Sequence, residues 1–327
     1  MFDMRAHRSW RGPTASAGVL LFVLPLYGLL GTYFLQRNID NAHGQYVLHR
    51  QVMQGEALGA YQYSMAVHDH VLDAMFRLAP RQTEMWFAAC YTVYYSLGLT
   101  LFLITLFATC RRLTTDIASS LVCLYVVAIW PLFLFDQPYH PQDPWTAFIA
   151  ILLVRIQLTS RSRAPYFLLL LAGSFATEKL VFFPLSRAVA DLLKKRNVSS
   201  IGFEFLLGTL LSVAGQLIFR VHYGVRPVGV GSLRYNLSYF HHYLFGLVVT
   251  QGIAIYYLLR GRSVRPEFWG LMAQTPAWLV LYLVLNGFIF EFRAIFVVAM
   301  AYSTPLMAMF VADAFGFTLP QRTVDAR

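Results

Sequence analysis

The chain has 327 residues, of which 57% are hydrophobic and only 13% charged. A soluble domain carries roughly 25% charged residues, so the composition excludes a water-soluble protein and predicts a polytopic integral membrane protein. The net charge of +10 does not point to nucleic acid, because the basic residues fall in short clusters between apolar runs, as loop charges do.

Residues 1–14 carry Arg5, Arg8 and Arg11 and precede an apolar run, 15–35. The run is long and no small-residue cleavage site follows it, which predicts a retained signal anchor with a cytoplasmic N-terminus. Residues 36–84 form the longest polar segment. In it Val67, Val71, Leu72, Met75, Phe76 and Leu78 recur at helical spacing, with His68, Asp69, Asp73 and Arg77 between them. That pattern suits an amphipathic helix, either lying on the membrane surface or packed on the bundle.

Further apolar runs follow at 85–108, 116–135, 144–158, 165–177, 179–193, 200–221, 240–259, 267–289 and 293–313. Three of them, 144–158, 165–177 and 179–193, are short for a hydrocarbon core that takes roughly 20 helical residues to cross. Charge decides whether 165–193 is one helix or two. If the chain turns back at Thr177–Glu178–Lys179, there are ten spans, both termini are cytoplasmic, and the cytoplasmic segments hold 16 Lys and Arg in 58 residues against 9 in 85 outside. A single crossing would misplace Lys194, Lys195, Arg196, Arg260, Arg262 and Arg265. The positive-inside rule therefore predicts an all-α transmembrane bundle of about ten spans, with one membrane domain over 1–327 and surface helices in the 36–84 loop. No repeat or linker interrupts it.

That topology gathers the unusual polar residues on the outer side. Asp136, His140 and Asp143 lie in a Pro-rich connection that cannot be helical throughout. Their carboxylates could act as general base, hold a sugar hydroxyl or bind a hard cation or zinc. Asp143–Pro144 also reads as the N-cap and first residue of the following helix. Glu178 and Lys179 sit between short apolar runs. They either face a cavity, because charges at membrane depth are costly, or cap a solvated turn. Arg220, Arg226 and Arg234 share a Gly-rich connection. They suit bidentate phosphate binding or snorkelling toward lipid headgroups. His241 and His242 are adjacent and point apart on a helix, which argues against joint metal binding. Glu291 and Arg293 can both turn inward only at a bend and otherwise anchor the interface. Cys90, Cys110 and Cys123 show neither disulfide nor metal-ligand spacing. Asp40 follows the first span closely and, on the residue alone, reads as a loop aspartate.

Four features together resemble bacterial membrane glycosyltransferases of the GT-C type. They are Asp40 before a long outer loop with surface helices, the segment Ala60–Tyr61–Gln62–Tyr63–Ser64–Met65–Ala66–Val67 (similar to a P-x-x-Y-R-V-L-x-P element), the Asp143–Pro144 turn followed by short helices and Ala176–Thr177–Glu178, and the Glu291–Phe292–Arg293 corner. Ser64, Ala66 and Thr177 depart from the Arg, Leu and Arg of the pattern. The resemblance implies a bacterial plasma-membrane enzyme that takes a sugar from a polyprenyl-phosphate donor to an acceptor on the outer face. Asp40, Asp136 and Glu178 would be its catalytic carboxylates, and Asp40 would be the general base or the ligand of a divalent cation. His140, Lys179, Arg220, Arg226, Arg234, Glu291 and Arg293 would contact substrate, the arginines its lipid phosphate. A transporter or flippase of a lipid-linked or anionic substrate, and a non-catalytic membrane subunit with the same fold, stand as alternatives. The three departures motivate the second of these.

Overall fold

The computed structural model describes residues 28, 31–33, 35–133, 140–160, 162–224, 240–260, 265–284 and 292–316. Among them all regular structure is helical. We number α1 Ala42–Met53, α2 Gly59–Arg77, α3 Glu84–Cys110, α4 Asp116–Ile129, α5 Gln142–Thr159, α6 Ala164–Ala176, α7 Phe183–Leu193, α8 Val198–Tyr223, α9 Phe240–Leu259, α10 Pro266–Met272, α11 Gln274–Val284 and α12 Phe292–Ala314. Short 3-10 turns, Trp130–Phe133 and Glu178–Leu180, follow α4 and α6.

Local chemistry sets half of the twelve numbered helix starts. Thr83 and Thr115 cap α3 and α4 by accepting from Trp86 N and Ala118 N, each with an acidic residue in the first turn, where the helix dipole favours it. Asn197 caps α8 through Ser199 N at 2.9 Å. Proline stands in the first turn of α6, α7 and α10, where its missing N–H leaves no helical bond unmade.

Among the described residues three helices are long and apolar enough to cross a membrane: α3, α8 and Phe296–Ala314 of α12. At 1.5 Å per residue, 27-residue α3 and 26-residue α8 each extend about 40 Å. The outer row of α8, including Phe203, Leu206, Leu210 and Val221, is exposed and apolar, as a lipid-facing surface would be. The predicted first run, 15–35, lies almost wholly outside the described residues.

Side-chain contacts sort the connections into two ends. At one end, Arg163 and Arg196 both pair with Glu204 near the start of α8. There too, Arg265 Nη2 donates to the Leu158 carbonyl at 2.9 Å, and Lys194 pairs with Glu267 at 3.0 Å. At the other end, Lys179 meets Asp143, and Tyr63 donates to the Gly224 carbonyl at the close of α8. Residues 163 and 196 flank α6 and α7, yet they meet one carboxylate. The chain between them therefore turns back on itself, at the Thr177–Lys179 position predicted from charge.

Helix α2 does not lie apart on a surface. It packs on α3, α6 and α8 across the Asp143 end. Leu72 and Phe76 are buried there, as the spacing predicts, but so are His68 and Asp69, while Val71 and Leu78 are exposed. Of the two placements left open for this helix, the bundle-packed one is observed. Its inward face is part polar because α3 and α6 present a tyrosine hydroxyl and a free carbonyl to it.

Candidate functional site

The Asp143 end holds a dense set of buried polar groups. Helix α5 begins at Gln142 with Pro141 as its cap residue, so Asp143 lies inside the first turn. The expected N-cap role of Asp143 gives way to a longer-range one: its Oδ1 accepts from Lys179 Nζ at 3.3 Å, with both residues buried. Lys179 is fixed by the turn after α6, where Thr177 Oγ1 accepts from Lys179 N at 3.2 Å. The solvated-turn reading of Lys179 is thereby excluded.

His68 of α2 reaches the same turn. Its Nε2 stands 2.9 Å from the Ala176 carbonyl and its Nδ1 2.7 Å from the Tyr94 hydroxyl. A carbonyl only accepts, so Nε2 carries the proton, and the neutral ring accepts from Tyr94 through Nδ1. Burial pulls the His68 pKa down to about 4; the Ala176 bond and Asp143 oppose this, and Lys179 adds to it. Tyr94 in turn stacks on Trp145 of α5, with ring centroids 5.0 Å apart.

Beside this lies a second relay that sequence reasoning missed. His49 of α1 faces the Asp69 carboxylate at 2.8 Å, both buried, and Asp73 at 3.8 Å, and Asp73 pairs with Arg77 at 2.7 Å. Burial raises the Asp69 pKa, against the hydrogen bond and charge of His49. The available signal was the recurrence of Asp and His on one helix in the 36–84 segment. Locally it reads as a solvated face, and only its packing on α1, α3 and α6 reverses that.

Several polar atoms at this end are buried without a hydrogen-bond partner among the described residues: Glu178 Oε2, Gln142 Oε1, Trp145 Nε1, Thr146 Oγ1 and Asp69 Oδ2. Four of the five lie within three residues of Asp143 or next to Lys179. Such atoms are uncommon in folded proteins, and each asks for a cause, a ligand among them.

The remaining predicted residues divide. His140 is half-buried, with Nδ1 3.1 Å from Gln142 Nε2 in the next turn, so it stays with Asp143. Arg220 is exposed, its guanidinium 5.5 Å from the ring centre of Tyr63. Asp40 is exposed at the end of helical residues 35–40 and accepts from Gln36 Nε2 at 3.0 Å, so it is not one of the buried set. Asp136, Arg226, Arg234 and Glu291 lie outside the described residues, as does the side chain of Arg293. Among the described residues no three His, Cys, Asp or Glu side chains are grouped to hold a metal ion.

No protein-family model, curated protein or solved structure matches this chain.

Proposed function

We propose that the chain is a membrane glycosyltransferase of the GT-C type that moves a sugar from a polyprenyl-phosphate donor to an acceptor on the outer face of a bacterial plasma membrane. In this reading the Asp143 end is the outer face, the chain crosses ten times and both termini are cytoplasmic. The alternation of connections between two ends, with Lys and Arg concentrated at the Glu204 end, supports it.

The observation that carries the proposal is the buried, partnerless Glu178 Oε2 beside the Asp143–Lys179 pair. Removing two charges from water costs several kcal/mol per ion before their attraction offsets it. Buried ionic groups within apolar helices are by default a functional-site hypothesis. In the proposed reaction Glu178 takes the proton from the acceptor hydroxyl, and Lys179, held by Asp143, faces the negative charge that develops on the departing lipid phosphate. His68, proton-bearing at Nε2 and neutral, holds the Ala176 carbonyl and so fixes the turn that carries both residues. Asp40, exposed at the same end, would act at the rim.

The test is transfer of radiolabelled sugar from a polyprenyl-phosphate donor in vesicles containing the purified chain. Glu178→Gln should lower the rate by at least about a hundredfold, the scale of a lost general base. Asp143→Asn should lower it as well, and His43→Ala should leave it unchanged. Asp40→Asn reports on the rim. Absence of transfer by the wild type, or full activity in both Glu178→Gln and Asp143→Asn, overturns the proposal.

A second reading, a transporter of a lipid-linked anion, draws on a different observation. Helices α6 and α7 are only 13 and 11 residues long and turn back within the bundle, as interrupted transporter helices do. Label that changes sides of the vesicle without changing chemical form would favour it.

A further inference from the structure

The Glu204 end, opposite the site above, forms a half-open cavity of about 410 Å³ between the α5–α6 connection, α7 and the start of α10. Among the described residues five cationic side chains line it, Arg163, Arg187, Lys194, Arg196 and Arg265, against the carboxylates of Asp191 and Glu267. Four of the cations are committed. Arg163 pairs with Glu204, Arg196 with Asp191 at 2.5 Å and with Glu204 at 3.5 Å, and Lys194 and Arg265 share Glu267 at 3.0 and 3.2 Å.

Arg187 is different. It projects from the middle of α7 with its guanidinium 4.8 Å from the centre of the Tyr166 ring. Its Nε is buried without a hydrogen-bond partner, and no ion pair within 4 Å ties it to another described residue; Asp191, one helical turn on, attracts it at longer range while pairing with Arg196. Tyr166 itself is fully buried and donates to the Phe183 carbonyl at 2.6 Å, which anchors the ring under the guanidinium.

Topology accounts for an excess of Lys and Arg at one end of a membrane bundle. It does not account for their convergence on one cavity from three separate connections, nor for a cation placed inward on an aromatic ring. A guanidinium offers parallel N–H groups that match two phosphate oxygens, and the carboxylates here are already engaged by other cations, so the cavity stays net positive. The volume falls in the range that holds a small ligand.

We propose that this cavity binds a phosphate-bearing anion, with Arg187 as its inner ligand and Lys194 at its rim. The site lies at the other end of the bundle from the Glu178 turn, and its existence does not depend on the transferase reading.

The test is the melting temperature of the full-length protein, measured with two probes. One is inorganic pyrophosphate added in detergent at constant ionic strength. The other is phosphatidic acid in phosphatidylcholine nanodiscs, compared with phosphatidylcholine alone. The wild type should be stabilised by at least one of them. Arg187→Gln and Lys194→Gln should each weaken the response about tenfold in Kd, the scale of a charge-assisted bond. Stabilisation by pyrophosphate alone identifies a soluble phosphate ligand, and stabilisation by phosphatidic acid alone a lipid headgroup. Either result supports the site. If Arg187→Gln does not fold, Lys194→Gln at the rim decides. No stabilisation by either probe, or unchanged affinity in the variants that fold, overturns the proposal.

Discussion

Lys179 reaches Asp143 across 36 positions of sequence, Nζ to Oδ1 at 3.3 Å, with both side chains buried. The contact ties the turn between α6 and α7 to the first turn of α5. Neither residue is apolar enough to be there for packing. Removing one partner leaves a buried charge, which typically costs about 3–5 kcal/mol, whereas replacing both with uncharged residues of similar shape costs much less. Lys179→Met and Asp143→Asn should therefore each lower the melting temperature sharply, and the double variant should recover part of the loss. A double-mutant cycle on purified protein measures the coupling. Additive losses would show that the pair does not interact.

The fate of Asp143 marks the limit of local reading. Asp-Pro before an apolar run is a helix-start signal, and a helix does start there. What the residue bonds to is decided by a lysine 36 positions on, and no local pattern encodes that. The turn at Thr177–Lys179 was legible because a global constraint, the distribution of Lys and Arg, required it. On α2 the apolar spacing identified the helix, and it placed Leu72 and Phe76 on the buried side correctly but Val71 and Leu78 not, since both are exposed. The inward placement of His68 and Asp69 was not legible, because hydropathy assigns polar residues to water unless the partners are known. Those partners, the Tyr94 hydroxyl, the Ala176 carbonyl and His49, come from three other helices.

His68 makes stability depend on pH. Helix α2 is not one of the apolar spans, and burial holds the His68 pKa at about 4 against 6.5 for an unburied ring. Between those values the unfolded chain binds a proton that the folded chain refuses. Stability should fall as pH drops from 6.5 toward 4, with a slope of up to about 1.4 kcal/mol per unit. Asp69 works the other way: its raised pKa makes the folded state take up a proton first, which adds stability as pH falls. Melting temperature against pH should show a fall on acidification in the wild type, and His68→Gln should remove that fall. A variant that keeps the wild-type slope would locate the titration elsewhere.

Helix α8 crosses α6 at Gly215, where an added Cβ would stand 2.5 Å from Phe175 N and 2.6 Å from the Ser174 carbonyl oxygen. Backbone cannot swing aside as a side-chain tip can. The same crossing holds the bonds from Gly215 N to Ser174 Oγ at 2.9 Å and from Gln216 Nε2 to the Ser174 carbonyl at 3.1 Å. Gly215→Ala should force the helices apart and cost on the order of 1–3 kcal/mol, as overpacking does. Gly202, on the same helix, has nothing within 4 Å of its would-be Cβ. Gly202→Ala should be neutral or stabilising by up to about 1 kcal/mol through helix propensity. Thermal melts should show a lower melting temperature for Gly215→Ala only, and equal destabilisation would rule out the Gly215 crossing as the cause.

The return of the chain between α6 and α7 can be tested by accessibility. Ser162 and Lys195 are exposed and flank the pair of short helices, next to the two arginines that converge on Glu204. His43 is exposed at the opposite end, facing Glu84 at 2.8 Å. In a background lacking Cys90, Cys110 and Cys123, single cysteines at positions 162 and 195 should react with a membrane-impermeant maleimide from the same side, and a cysteine at 43 from the other. Ion pairs set this expectation: one carboxylate cannot reach arginines separated by a bilayer of about 30 Å. Labelling of 162 and 195 from opposite sides would make α6 and α7 a single crossing. It would also divide the cations proposed to meet around Arg187.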